Sequence, residues 1–221
     1  MGLSVSIIIP VFNSEKTLGK TLESVYLETA NRPDVDWEIL LLDDGSTDRS
    51  LEVLKLWETK IPLKTFELPH SGSPAKPRNH GIEASTGDYV FFLDADDVLF
   101  PGALAAAVDF ATQNNSDVLV PRLKSLDSRG VPRGMFSENR SQVTLDDSRI
   151  YWALNPMKLI NRSLLMDNDI RFDESLKRDE DQPFVFRSYL AAEKISVLAD
   201  PPVVGVRYSP SGTNLTLRKY E

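Results

Sequence analysis

Cysteine is absent, which excludes a disulfide framework, a thiolate metal site and a cysteine nucleophile. Histidine occurs twice, at His70 and His80, without the i, i+4 spacing of a helical metal-binding pair. Positive charge is in deficit: 25 Lys and Arg stand against 33 Asp and Glu, a formal net charge of −8. That balance opposes a nucleic-acid duplex as partner, because neutralising phosphates requires a basic surface. No apolar run approaches the roughly 20 residues of a membrane span, and the N-terminus lacks the charged-then-apolar pattern of a signal peptide. A soluble, cytoplasmic protein without a membrane span is expected. Residues 10–15 contain no glycine, and no Gly-x-Gly-x-x-Gly follows the first apolar run. A sugar nucleotidyltransferase and a dinucleotide oxidoreductase are thereby disfavoured.

What remains is an ordinary globular composition, 41% hydrophobic and 26% charged over 221 residues, enough for one domain with a sizeable core. Residues 5–9, 38–42 and 89–93 are short apolar runs of the kind buried on both sheet faces. Between the first two, Leu18, Leu22 and Val25 recur at helical spacing behind Ser14, a candidate cap. Leu51 and Leu54 follow the cap-rich Ser46-Thr47-Asp48. Weaker strands are expected at 63–68 and 117–120, with helices at 77–84 and 101–111. This βαβ alternation predicts an α/β fold with a doubly wound, mostly parallel sheet whose ligand site lies beyond the carboxyl ends of the strands. Residues 125–148 read as an irregular polar segment. Order resumes at 151–165, in a helix running from about 180 to 192, and in strands at 195–198 and 203–208. Phe184, Phe186, Tyr189 and Leu190 are expected to pack that helix into the core.

Carboxylates cluster at two strand ends. Asp94-Ala95-Asp96-Asp97 follows one apolar run, and oxygen-only ligation of this kind suits Mg²⁺ or Mn²⁺ held together with substrate phosphate oxygens. Read alone, it is equally a solvated acidic turn. Asp43-Asp44-Gly45-Ser46-Thr47-Asp48 follows another, where a carboxylate can accept hydrogen bonds from a base or ribose. Read alone, that segment is a helix cap with acids favoured by the helix dipole.

Taken together, Ile7-Ile8-Ile9-Pro10-Val11-Phe12-Asn13-Ser14-Glu15, the Asp43 to Asp48 segment, Arg78-Asn79-His80-Gly81-Ile82, Asp94-Ala95-Asp96-Asp97 and Arg171-Phe172-Asp173-Glu174 with Glu180-Asp181 resemble, in order and spacing, family 2 glycosyltransferases of the GT-A fold over nearly the whole chain. The resemblance implies that Pro10, Val11, Asn13 and Glu15 line a nucleoside pocket and that Asp44 accepts the uracil imide hydrogen. It puts Arg78 near the nucleotide and makes Asp94 and Asp96 the Asp-x-Asp element for Mn²⁺ or Mg²⁺. Asp96 is then the direct ligand, with Asp94 nearer the ribose or metal. Asp181 matches the catalytic base of an inverting single displacement.

Pro-Arg-Asn at 77–79 is similar to bacterial wall teichoic acid glycosyltransferases that use UDP-N-acetylglucosamine. That similarity implies a UDP-sugar donor and a hydroxyl-bearing glycan or polyol-phosphate acceptor. Such enzymes often carry further C-terminal domains, so a short member or a trimmed piece is expected. The Gln-x-x-Arg-Trp signature of processive synthases is absent, which points to single-sugar addition. Residues 1–120 are expected to form the nucleotide-sugar half and 121–221 the acceptor half. A non-catalytic nucleotide-sugar-binding module and a carboxylate-pair glycosidase stand as alternatives. A local basic excess, Arg122, Lys124, Arg129, Arg133 and Arg140 against Asp127 and Glu138, is a candidate track for a phosphate-bearing acceptor, which Arg207, Arg218 and Lys219 extend.

Overall fold

The computed structural model describes residues 3–127 and 130–207. Strand β1 (Ser4–Val11) is followed by α1 (Leu18–Ala30), β2 (Asp36–Asp43), α2 (Ser50–Glu58), β3 (Leu63–Glu67), α3 (Ala75–Ala84) and β4 (Tyr89–Phe92). Then come β5 (Val98–Leu99), α4 (Ala103–Asn114), β6 (Val118–Pro121), β7 (Leu123–Ser125), β8 (Arg140–Val143) and α5 (Leu145–Ser148). After a 3₁₀ turn (Ile150–Trp152), the chain continues through β9 (Leu159–Asn161), α6 (Arg162–Asp167), α7 (Asp181–Ala191), β10 (Ile195–Leu198) and β11 (Val204–Val206). Among the described residues no helix is long and apolar enough to cross a membrane.

The main sheet has the order β3-β2-β1-β4-β9-β6-β10-β8, and a small sheet, β5-β11-β7, lies beside it. Successive side chains of a strand point to opposite faces. Ile7 and Ile9 therefore join Ile39, Leu41 and Phe91 in one core, covered by α1 and α4, while Ile8 joins Leu40, Val90 and Phe92 in a second, covered by α3 and α7. The continuous apolar runs are the consequence of burial on both faces. Parallel pairing of β1 with β2 sets Val11 opposite Asp43, and pairing of β1 with β4 sets Ile8 opposite Phe92. Asp44 and Asp94 thus leave the sheet at the same edge.

The expected doubly wound, mostly parallel sheet is observed, with several differences. Strand β9 runs antiparallel to both β4 and β6 in the middle of the sheet, pairing Leu159 with Phe91 and with Leu119. Three residues are too few to show a periodicity. Strand β8, on the far edge, is antiparallel to β10, so 125–148 is not wholly irregular, and its Met135 and Phe136 are buried in the second core. Helix α1 starts at Leu18 rather than at Ser14, whose carbonyl oxygen, not its hydroxyl, accepts the N–H groups of Thr17 and Leu18. On α7, Phe184 and Tyr189 are buried as expected, but Phe186 and Leu190 are exposed, 40% and 63%.

Candidate active site

The first wall of the site is built by the loops after β1 and β2. Asn13 adopts the left-handed conformation, φ 48°, which asparagine tolerates better than most residues. Its Oδ1 accepts the Thr47 N–H at 2.8 Å and the Asp48 N–H at 3.3 Å. Glu15 accepts the Arg49 N–H at 3.1 Å, and Asp48 accepts the Glu15 N–H at 3.0 Å. The polar side chains of Asn13 and Glu15 therefore clamp the 43–49 loop against the end of β1. Val11 is buried beside Pro10 and accepts the Asp44 N–H through its carbonyl.

Asp43 and Asp44 divide their work. Buried Asp43 accepts the Gly45 and Ser46 N–H groups and closes the turn. Gly45 sits at φ +72°, and a Cβ there would lie 3.0 Å from the His70 backbone nitrogen, so the position requires glycine. Asp44 accepts the Ser71 N–H at 2.9 Å on Oδ1 and meets His70 Nδ1 at 3.0 Å on Oδ2. The Asp44 carbonyl also faces Nδ1, at 2.9 Å. Both partners are acceptors, so Nδ1 carries the hydrogen. The His70 ring stacks on Phe12 with centroids 4.2 Å apart. Nothing in the sequence pairs His70 with Asp44, because 26 residues separate them.

The second wall is the Asp94 to Asp97 turn. Asp94, Asp96 and Asp97 each offer a carboxylate oxygen, all within 4.8 Å of one another. This donor set fits a small, hard divalent cation. The three are not equivalent. Asp97 is fully buried and accepts the Arg207 N–H at 3.1 Å, tying the turn to the end of β11, whereas Asp94 and Asp96 are half-buried. Thr21 of α1 donates its hydroxyl to the carbonyls of Ala95 and Asp97 and holds the turn from beneath.

Arg78 joins this wall to the third. Buried on α3, it donates to Asp94 Oδ1 at 2.8 Å and to Glu180 Oε1 at 2.8 Å, and its guanidinium lies 5.3 Å from the centre of the Phe172 ring. The ring attraction helps a cation that sits among apolar groups. Phe172 in turn stacks on Phe184 at 3.8 Å, and Phe92 meets both edge-on. The neighbouring Asn79 accepts the Phe172 N–H and donates to the Phe172 carbonyl and to Glu174. Arg78 and Asn79 thus anchor the 171–174 motif and, through it, the start of α7.

Asp181 opens α7 directly after buried Glu180. Burial pushes its carboxyl up to about 6; the Arg78 charge opposes this, and Glu180 and Asp94 reinforce it. A carboxylate poised there is suited to take a proton near neutral pH. The structure brings Arg78, Asp94, Asp96 and Asp181 together, while Asp44 leaves the same sheet edge at the end of β2. Glu180 and Asn79 lie inside the expected motifs, yet their roles, like that of His70, emerge only from the contacts. Of the basic track, Arg122 donates to the Ala199 carbonyl at 3.3 Å and Lys124 lies over the Phe100 ring. Arg129, Arg218 and Lys219 lie outside the described residues.

Residues 6–170 match the family described as Glycosyl transferase family 2. Over 199 residues the chain is 41% identical to the poly(ribitol-phosphate) beta-N-acetylglucosaminyltransferase TarS of Staphylococcus aureus, covering 90% of this chain and 34% of that protein. It is 40% identical to a poly(ribitol-phosphate) beta-glucosyltransferase of Bacillus spizizenii, covering 90% and 31%. The chain therefore spans about a third of the length of these relatives. The crystal structure of S. aureus TarS 1–349 in complex with UDP-GlcNAc superposes with a TM-score of 0.89 at 38% identity, over 94% of this chain and 59% of that one. The mostly parallel sheet, with acidic loops at its strand ends, is the GT-A architecture. By sequence and by fold, the chain belongs to glycosyltransferase family 2.

Proposed function

We propose that this chain is the catalytic unit of a non-processive, inverting glycosyltransferase that moves N-acetylglucosamine from UDP-N-acetylglucosamine to a hydroxyl of a polyol-phosphate polymer. The observation that carries the reading is the buried Arg78 side chain, which ties the half-buried Asp94 turn to buried Glu180 at the start of the Asp181 helix. Donor and acceptor chemistry must meet across such a junction. The acceptor follows the poly(ribitol-phosphate) in the names of both relatives, and the N-acetylglucosamine donor follows TarS, whereas the Bacillus spizizenii relative is named a glucosyltransferase.

In this reading residues 1–120 bind the nucleotide sugar and 121–221 the acceptor. Asp44 accepts the uracil imide hydrogen, within a pocket shaped by Pro10, Val11, Asn13 and Glu15. Asp96 and Asp94 would hold a divalent cation, Mn²⁺ or Mg²⁺, whose charge would offset that of the diphosphate. Asp181 takes the acceptor hydroxyl proton as that oxygen bonds to the anomeric carbon, and the bond from that carbon to the diphosphate oxygen breaks on the opposite face. UDP departs with the electron pair, and the configuration inverts. A nucleotide-sugar donor assigns the reaction to the cytoplasm. The test is a screen of UDP-, GDP- and TDP-sugars with Mn²⁺ for transfer to poly(ribitol-phosphate) and for thermal stabilisation. Stabilisation and transfer with UDP-N-acetylglucosamine are expected. Binding without transfer would favour a non-catalytic module, and hydrolysis of a glycan without UDP binding would favour a glycosidase.

A further inference from the structure

Lys158 is a buried cation that the proposed reaction does not use. It is 1% exposed and stands among the largest fully buried side chains. Its Nζ donates to the Asn155 carbonyl at 2.8 Å and to Asn155 Oδ1 at 3.0 Å, and among the described residues it forms no salt bridge. A lysine ammonium has three hydrogens to place, and burying one without a carboxylate partner is costly. Methionine would fill a similar volume without that cost. A purely structural role does not explain the charge.

Its place in the fold does. Leu159 pairs with Phe91, so Lys158, one residue earlier, lies where β4 gives way to the Asp94 turn. The preceding segment is tied to α7 by the Tyr189 hydroxyl, which donates to the Ala153 carbonyl at 2.8 Å. That helix opens with Asp181, and Phe184 in its first turn meets edge-on, at 5.6 Å, the Phe92 ring that lies across from Lys158 in the antiparallel β4–β9 pairing. Burial pushes the Lys158 ammonium down to about 7, and the Asp181 charge opposes the fall. The charged groups acting on Asp181 are Arg78 from α3, the adjacent Glu180 and Asp94 after β4, two anions against one cation. The Asp181 charge is felt at Lys158, which enters from the start of β9 as a further cation on this side of the fold.

We propose that Lys158 is a positioning residue for the general base: its buried ammonium, fixed by Asn155, lends positive charge near Asp181 and keeps that carboxylate ionised while the acceptor hydroxyl gives up its proton. This rests on the reading of Asp181 as the base.

The experiment is the pH profile of sugar transfer in Lys158→Met and Lys158→Arg beside the unaltered protein and Asp181→Asn, with UDP affinity from calorimetry and thermal midpoints from circular dichroism. Lys158→Met is expected to melt at or above the unaltered protein and to bind UDP within about twofold. The acid limb of kcat is expected to move up by about one pH unit, a loss of about tenfold below the limb that largely recovers in alkali. Lys158→Arg, which keeps the charge, is expected to leave the limb near its original place. If Lys158→Met does not fold, Asn155→Ala carries the test, with a smaller shift in the same direction. An unmoved limb in the folded variant overturns the proposal, and so does a shift accompanied by a large loss of UDP affinity. If Asp181→Asn keeps full transfer, the base reading itself falls. If that variant is inactive while the Lys158→Met limb stays in place, only the Lys158 inference falls.

Discussion

Arg78 and Glu180, 102 residues apart in sequence, meet at 2.8 Å with both side chains buried. Because the same guanidinium also holds Asp94, the pair sets the distance between the proposed metal turn and the proposed base. Removing one partner of a buried ion pair leaves the other charge uncompensated, which costs about 3–5 kcal/mol. Arg78→Met is therefore expected to lower stability by that order in urea denaturation. Arg78→Lys keeps the charge but loses the fork that serves two carboxylates. It is expected to remain folded, with transfer reduced at least tenfold; unaltered kcat in Arg78→Lys would show that the two-sided contact is dispensable.

Asp181→Asn preserves size and cannot accept a proton, so kcat is expected to fall roughly 10²-fold or more while UDP affinity holds. The substitution also carries a stability consequence. The folded carboxyl titrates near 6, above its ordinary value of 3.8, because burial disfavours its charge. Between those values the folded state binds more protons than the unfolded chain, so stability falls as pH rises through this window. Above it, Asp181→Asn is expected to be more stable than the unaltered protein by about 1–3 kcal/mol. Urea midpoints at pH 7.5 test this, and a destabilised Asn variant would contradict it.

The acid limb of transfer in the unaltered protein is expected near pH 6, because the base must be ionised to act. Single-turnover rates between about pH 5 and 8 locate it. A limb near 4 would mean that the acting carboxylate is not Asp181.

Asp96→Asn and Asp44→Ala should separate metal from base recognition. The first is expected to abolish the enhancement of UDP binding by Mn²⁺, since a neutral ligand replaces a charged one. The second is expected to weaken UDP with or without metal. Calorimetry with Mn²⁺ and with EDTA distinguishes the two, and identical behaviour of the variants would refute the division.

Glu28 offers a control away from the site. Fully buried, it accepts the Gly102 and Ala105 N–H groups, each at 2.7 Å, at the start of α4. Glu28→Gln sets an NH₂ against one of these donors, an expected loss of about 1–3 kcal/mol. UDP affinity should not change, and an unaltered urea midpoint would count against the capping role.

Much of the site was legible because each of its loops follows a strand whose apolar run announces it. Asp44 and Asp94 come at the ends of such runs, and parallel pairing then aligns those ends. The inserted β9, the buried Met135 and Phe136, and exposed Phe186 and Leu190 were not legible in this way. A three-residue strand shows no period, and a helix near the domain surface can leave apolar side chains uncovered.

Composition, the apolar runs and the spacing of carboxylates after them determined the fold class, the family resemblance and the candidate residues, since these depend on local periodicity and order along the chain. Tertiary structure alone decided that Asp97 supports the turn from within, that His70 orients Asp44, that Arg78 bridges Asp94 to Glu180, and that Lys158 is buried at the end of β4. The physical reason is that desolvation and hydrogen bonding depend on which groups meet in space. Those meetings join residues up to 110 positions apart, a separation over which sequence carries no periodic signal.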